Sequence, residues 1–137
     1  MIVDASVAFK WFAVEEDSDL AMALLAGTSL VAPGLLAVEI ANGLWKKAMK
    51  EQIDIAVSFS PELDQLGELV TLVDERGVVG RALEIARTLR HAVYDCIYLA
   101  LAESLNDTVV SADKKLLGKL HGGEFAHLAM PLDQAVP

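Results

Sequence analysis

Four carboxylates stand in apolar company: Asp4 after Met1-Ile2-Val3, Glu39 among Leu35, Leu36, Val38 and Ile40, Asp95 at the head of the apolar run 96–102, and Asp113 just past Val109-Val110-Ser111. A carboxylate entering a core must be protonated, hydrogen-bonded or matched by a cation. Two unit charges about 4 Å apart repel by roughly 4 kcal/mol at an effective dielectric near 20. A cluster of such acids therefore needs shared protons or a divalent ion. An all-oxygen set suits Mg²⁺ or Mn²⁺ and not zinc. Held by carboxylates, these ions activate water and stabilise the in-line transition state of phosphodiester cleavage. Each acid also has a purely structural explanation. Asp4 and Asp113 can be N-caps, Asp95 a first-turn acid favoured by the helix dipole, and Glu39 a partner of a buried Arg or of Asn42. Four such coincidences at one rim are what the structural explanation requires.

Bringing four segments to one rim demands a particular architecture. Met1-Ile2-Val3 is a short β-branched run, and Ser6 can cap a helix through Phe9 and Trp11. The acids Glu15, Glu16, Asp17 and Asp19 read as a solvated helix start. Residues 20–26 read as a helix closed by Gly27, residues 29–32 as a strand ended by Pro33-Gly34, and residues 35–52 as a long helix. On it Asn42 shares a face with Glu39, and Lys46 lies one turn further. Residues 53–66 read as another helix that Ser60-Pro61 must kink or restart. Residues 69–73 are the clearest strand, and 77–90 a helix with an Arg-rich outer face. The run 96–102 is apolar on every side and belongs in a core. Residues 108–111 follow as a strand, Asp113 can cap a helix through Leu120, and 125–129 form a last edge strand. Strands separated by one or two helices predict an α/β fold, a parallel sheet covered on both faces. In such sheets ligands gather beyond the carboxyl ends of the strands. Asp4 and Asp113 follow strands directly, and Glu39 and Asp95 sit in first turns of helices.

At 137 residues, 54% of them hydrophobic, the chain predicts one domain over 1–137 with a single substantial core. The uncharged stretch 20–38 is long enough to raise the membrane question, but Gly27-Thr28-Ser29 and Pro33-Gly34 break it, so no membrane span is expected. The N-terminus has no basic region typical of a signal peptide. Cys96 is the only cysteine, which excludes an internal disulfide and fits a reducing cytoplasm. His91, His121 and His127 are scattered without zinc spacing. The net charge of −9 makes a poor general nucleic-acid binder, yet a carboxylate site contributes to that sum and bound metal reverses its local sign. Most cations stand near a candidate acid, and Lys10, Lys46, Arg90 and Lys114 are the candidate RNA contacts. Cys96 reads as a small core residue, Tyr94 and Tyr98 as packing with hydrogen-bonded hydroxyls, and Trp11 with Trp45 as candidates for a partner-binding groove.

Val3-Asp4-Ala5-Ser6, Val38-Glu39-Ile40-Ala41-Asn42, the stretch from Tyr94-Asp95-Cys96 to Ala102, and Val110-Ser111-Ala112-Asp113 together resemble the successive motifs of PIN-domain ribonucleases. The nearest resemblance is to the VapC toxins of type II toxin–antitoxin pairs. It covers residues 4–120, with the motifs in family order. The resemblance implies a three-layer α/β/α sandwich around a mainly parallel sheet and a Mg²⁺- or Mn²⁺-dependent endoribonuclease. Asp4, Glu39, Asp95 and Asp113 match the family's acidic quartet. It implies Asp4 and Asp95 as metal ligands, with Glu39 and Asp113 completing the set or holding water. Ser111 would support the site, Asn42 would orient Glu39, and Ser6 stands beside Asp4. A homodimer and a cognate antitoxin that blocks the site are implied as well. Ser111 stands where relatives often have Thr, which keeps the hydroxyl. Lys114-Lys115 stand where some relatives add an acid, leaving one metal or two open.

Two other classes compete with a nuclease. One is a PIN-like interaction module without turnover, against which the intact quartet speaks. The other is a receiver-type phosphoacceptor, which wants an acidic pair after the first strand; here Asp4 stands alone, and Asp74-Glu75 lack a matching Lys.

Overall fold

The computed structural model describes residues 1–50 and 60–136. Five short strands, β1 (Ile2–Val3), β2 (Val31–Pro33), β3 (Thr71–Val73), β4 (Val109–Ser111) and β5 (Ala129–Pro131), form one sheet in the order β3-β2-β1-β4-β5. Every pairing is parallel, with β1 at the centre: Ile2 faces Val31 on one side and Val109 on the other, and Val3 faces Val110. Successive strand residues point to opposite faces. Ile2, Val3, Val109 and Val110 are all fully buried, so both faces of the central strands are covered. This is the three-layer α/β/α arrangement that alternating strands and helices predict.

The helices among the described residues are α1 (Ala5–Ala8), α2 (Ser18–Gly27), α3 (Leu35–Met49), α4 (Ser60–Asp64), α5 (Leu66–Leu69), α6 (Val79–Leu89), α7 (Val93–Leu105), α8 (Lys114–Leu120) and α9 (Leu132–Ala135). Helix α7 lies on β1, β2 and β4 with α6 stacked against it. Cys96 to Ala102 are buried without exception, as a helix apolar all round requires. No helix among the described residues is long and apolar enough to cross a membrane, the stretch 20–38 being divided among α2, β2 and α3.

Several boundaries differ from the sequence expectation. The helix over 35–52 ends at Met49, and residues 51–59, including most of the expected helix 53–66, lie outside the described residues. Leu69 closes α5 instead of opening a strand, because the Val70 N–H returns to the Leu66 carbonyl at 3.0 Å. The edge strand expected at 125–129 begins only at Ala129. Phe125 and Leu128, three apart, are both buried by way of a 3₁₀ turn over Ala126–Leu128. Ser6 is not the cap of the first helix: Asp4 is, its Oδ1 accepting from the Val7 N–H at 3.2 Å. Glu15 is not simply solvated either, since it pairs with Lys10 at 3.5 Å and Lys47 at 3.1 Å.

Candidate metal centre

With β2 on one side of β1 and β4 on the other, the chain order reverses beside β1, and crevices open at the carboxyl ends of strands at such a point. Asp4 leaves β1 there and Asp113 follows β4. Asp4 is buried, 6% exposed. Its Oδ1 accepts from the Ser6 hydroxyl at 2.5 Å and the Val7 N–H at 3.2 Å. Ser6 in turn accepts the Ala112 N–H at 2.8 Å and lies 3.4 Å from the hydroxyl of fully buried Ser111, which takes the Asp113 N–H at 3.1 Å. Two hydroxyls thus stitch the end of β1 to the end of β4. Burial pushes the Asp4 carboxyl up to about 6 despite the Ser111, Ser6 and Val7 donors, and the charge of Asp95 adds to the rise.

Glu39 lies in the second turn of α3. Burial pushes it up to about 7, with Asp95 and Asp4 contributing repulsion. The hydrogen bond that reaches it comes from the Tyr98 hydroxyl on α7, at 2.7 Å to Oε1, and pulls the other way. Sequence reasoning gave that part to Asn42, which instead is exposed and lines the cavity beside Glu39. This cavity, about 460 Å³, is bounded by Ser6, Phe9, Lys10, Glu39, Asn42, Lys46 and Lys47, among others. Gly43 on α3 makes room for the Phe9 ring: a Cβ there would stand 2.9 Å from Phe9 Cε2.

Asp95 sits in the first turn of α7, at the join of the cluster. It raises the proton affinity of both Asp4 and Glu39, and its Oδ2 lies 2.5 Å from His91 Nε2. The His91 side chain is 6% exposed, that of Asp95 33%. Asp113 caps α8, its Oδ1 accepting the N–H groups of Lys115 at 2.9 Å and Leu116 at 3.1 Å. It also belongs to a second grouping: one ligand atom each from His91, Asp95 and Asp113 lies within 4.8 Å of the others. Both structural explanations offered for Asp4 and Asp113, N-caps, therefore hold together with their gathering at one rim.

Two contacts at the site go beyond the sequence reading. The sequence reading sets His91 aside for lack of zinc spacing, although its position four residues before Asp95, just ahead of α7, was the available signal. Tyr98 reads in the sequence as packing with a hydrogen-bonded hydroxyl; it is 1% exposed, and the acceptor that the sequence did not name is Glu39. Burial drives the Cys96 thiol up to about 11, in keeping with an inert core residue.

The cations divide. Lys46 is exposed at the cavity, while Lys10 there is tied to the Glu16 carbonyl at 2.6 Å and to Glu15. Arg90 is exposed and its carbonyl accepts Lys119 Nζ at 2.6 Å. Lys114 borders a separate cavity with His121 and Gln134. Trp11 donates to the Ala21 carbonyl at 2.9 Å and lines an apolar cleft with Phe12, Met22, Leu25 and Leu69, whereas Trp45 stands outside that cleft, 57% exposed.

The donor chemistry fits a divalent cation. Burial and mutual repulsion raise Asp4 and Glu39, no Lys or Arg forms an ion pair with either among the described residues, and oxygen donors predominate.

Residues 1–119 match the family model described as PIN domain. The chain is 30% identical to Ribonuclease VapC3 of Pyrobaculum aerophilum over 87% of its own length and 93% of that protein. It is 34% identical to Ribonuclease VapC9 of Mycobacterium tuberculosis over 85% of itself and 87% of that protein. Among solved structures, the crystal structure of PAE2754 from Pyrobaculum aerophilum superposes with a TM-score of 0.72 at 23% identity, covering 98% of this chain and 85% of that one.

Proposed function

The chain belongs to the PIN domain family, and from that premise we propose that it is a divalent-metal-dependent endoribonuclease, the toxin of a type II toxin–antitoxin pair. The observation that carries this reading is the position of Asp95. One carboxylate electrostatically engages Asp4 and Glu39 and also lies with Asp113 in a set of ligand atoms within 4.8 Å. Asp4 and Asp95 would hold the ion, with Glu39 and Asp113 completing the set. Mg²⁺ or Mn²⁺ bound there supplies activation of water and charge stabilisation at the scissile phosphate.

The chain's own residues do the rest. Ser6 and the Val7 N–H fix the Asp4 carboxylate, and Ser111 holds the start of the segment that carries Asp113. Tyr98 donates its hydroxyl to Oε1 of Glu39 and so holds that carboxylate in place for the ion or for water bound to it. Lys46, exposed at the adjoining cavity, offers a cation to a phosphate backbone, while Lys10 and Lys47 there pair with Glu15. Relatives named VapC ribonucleases support RNA as substrate. A cognate antitoxin, a homodimer and a cytoplasmic setting complete the reading.

The test is cleavage of RNA by the purified protein, freed of any partner, with Mg²⁺ or Mn²⁺. Asp95→Asn should abolish it, and Asp4→Ala should relieve the growth arrest caused by expression of the wild type. Absence of cleavage with either metal would instead leave an interaction module without turnover. Metal-dependent cleavage that survives Asp95→Asn would remove Asp95 from the mechanism.

A further inference from the structure

His91 is the one histidine drawn into the acid cluster, and its imidazole is almost completely buried there. Its Nε2 and Asp95 Oδ2 stand 2.5 Å apart. A neutral imidazole carries one N–H and one lone pair, and the tautomer decides which nitrogen holds which. With the lone pair on Nε2, a nitrogen already facing Asp95 can share a divalent ion held by that carboxylate. The spacing permits it: ligand atoms adjacent on one small divalent ion stand roughly 3 Å apart, and those of His91, Asp95 and Asp113 are already within 4.8 Å of each other.

We propose that His91 is a nitrogen ligand of the divalent ion, in a His91–Asp95–Asp113 set that favours Mn²⁺ over Mg²⁺. Imidazole suits first-row transition ions, whereas Mg²⁺ keeps to oxygen and water. The two carboxylates keep the set hard enough for Mn²⁺. This deepens the metal reading of the site and rests on it. His121 and His127 are exposed and lie outside the cluster.

The experiment reads metal binding without RNA. Metal-stripped protein carrying all three histidines is loaded with Mn²⁺ and examined by electron spin-echo envelope modulation. We expect ¹⁴N modulation from a directly bound imidazole, altered by ¹⁵N-histidine labelling and retained in the double variant His121→Ala/His127→Ala. In that double variant only His91 remains as a source, so the test stands even if a His91 variant does not fold. In folded His91→Asn the modulation should vanish and Mn²⁺ affinity fall about 10-fold, with Mg²⁺ affinity, read by competition, changing less than about 2-fold. Mn²⁺ bound without nitrogen modulation, or modulation lost in the double variant, overturns the proposal and leaves the nuclease reading intact. Failure of Mn²⁺ to bind the wild type at all overturns both.

Discussion

Tyr98 donates its hydroxyl to Oε1 of Glu39 at 2.7 Å, joining α7 to α3 across 59 positions of sequence. Burial and the neighbouring Glu39 drive the phenol far above its ordinary pKa, so it remains a donor throughout the accessible pH range. Tyr98→Phe keeps the ring in the core and removes only the donor. A hydrogen bond to a charged group contributes about 1.5–3 kcal/mol. Urea denaturation at pH 8, where Glu39 is mostly ionised, should show a loss of that size, and a smaller one at pH 5. Equal stability of variant and wild type at pH 8 would mean that the bond does not anchor Glu39.

The metal-free protein should lose stability as pH rises. Asp4 and Glu39 are pushed up to about 6 and about 7, chiefly by burial, so the native state holds more protons than the unfolded chain between their ordinary values and these. That contribution is fully present below about pH 4 and is lost as pH passes through 6 and 7. For buried Asp4, roughly two pH units of separation at about 1.4 kcal/mol each give about 3 kcal/mol. Calorimetry should show the metal-free Tm falling from pH 5 to pH 8, saturating Mn²⁺ restoring it, and Asp4→Asn flattening the fall. A metal-free Tm that climbs over this range would contradict the burial argument. A residue whose replacement stabilises the fold while removing its chemistry is one kept for function.

Two helical glycines should respond oppositely to alanine. At Gly118, within α8, a Cβ meets nothing within 4 Å, so Gly118→Ala should gain about 0.5–1 kcal/mol from helix propensity. At Gly43, within α3, the same gain competes with a Cβ at 2.9 Å and 3.1 Å from Phe9 ring atoms. Overpacking costs about 1–3 kcal/mol, so Gly43→Ala should lose about 1 kcal/mol net. Stability curves in urea for the two variants check this, and a Gly43→Ala variant as stable as Gly118→Ala would show that Phe9 yields freely.

The parallel sheet and the rim that bears the acids were legible because short β-branched runs and carboxylates at their ends are local patterns. Asp4 following Val3 and Asp113 following Ser111 need no knowledge of distant residues. What the sequence withheld depends on which faces meet. Nothing local to Tyr98 says that its hydroxyl meets Glu39 and not a backbone carbonyl. His91 is judged there by the spacing that zinc requires, while its place beside Asp113, at the head of α8, depends on the packing of distant segments. The strand expected from Phe125 onward failed for a related reason. Phe125 and Leu128 are apolar and close together, and only their contacts decide between a strand's period and a 3₁₀ turn.

Helix α7 runs between two left-handed residues, Arg90 at φ 52° and Asn106 at φ 51°. Asp95 and Tyr98 lie three positions apart on it, close to one face. The helix is in this sense a gauge: it sets Asp95 at a fixed phase from the residue that clamps Glu39. One residue inserted between them would swing the two apart by about 100°. Apolar side chains in this stretch can be exchanged for others of like volume, but the count of residues cannot change, so drift in length must be confined to segments beyond the two left-handed ends.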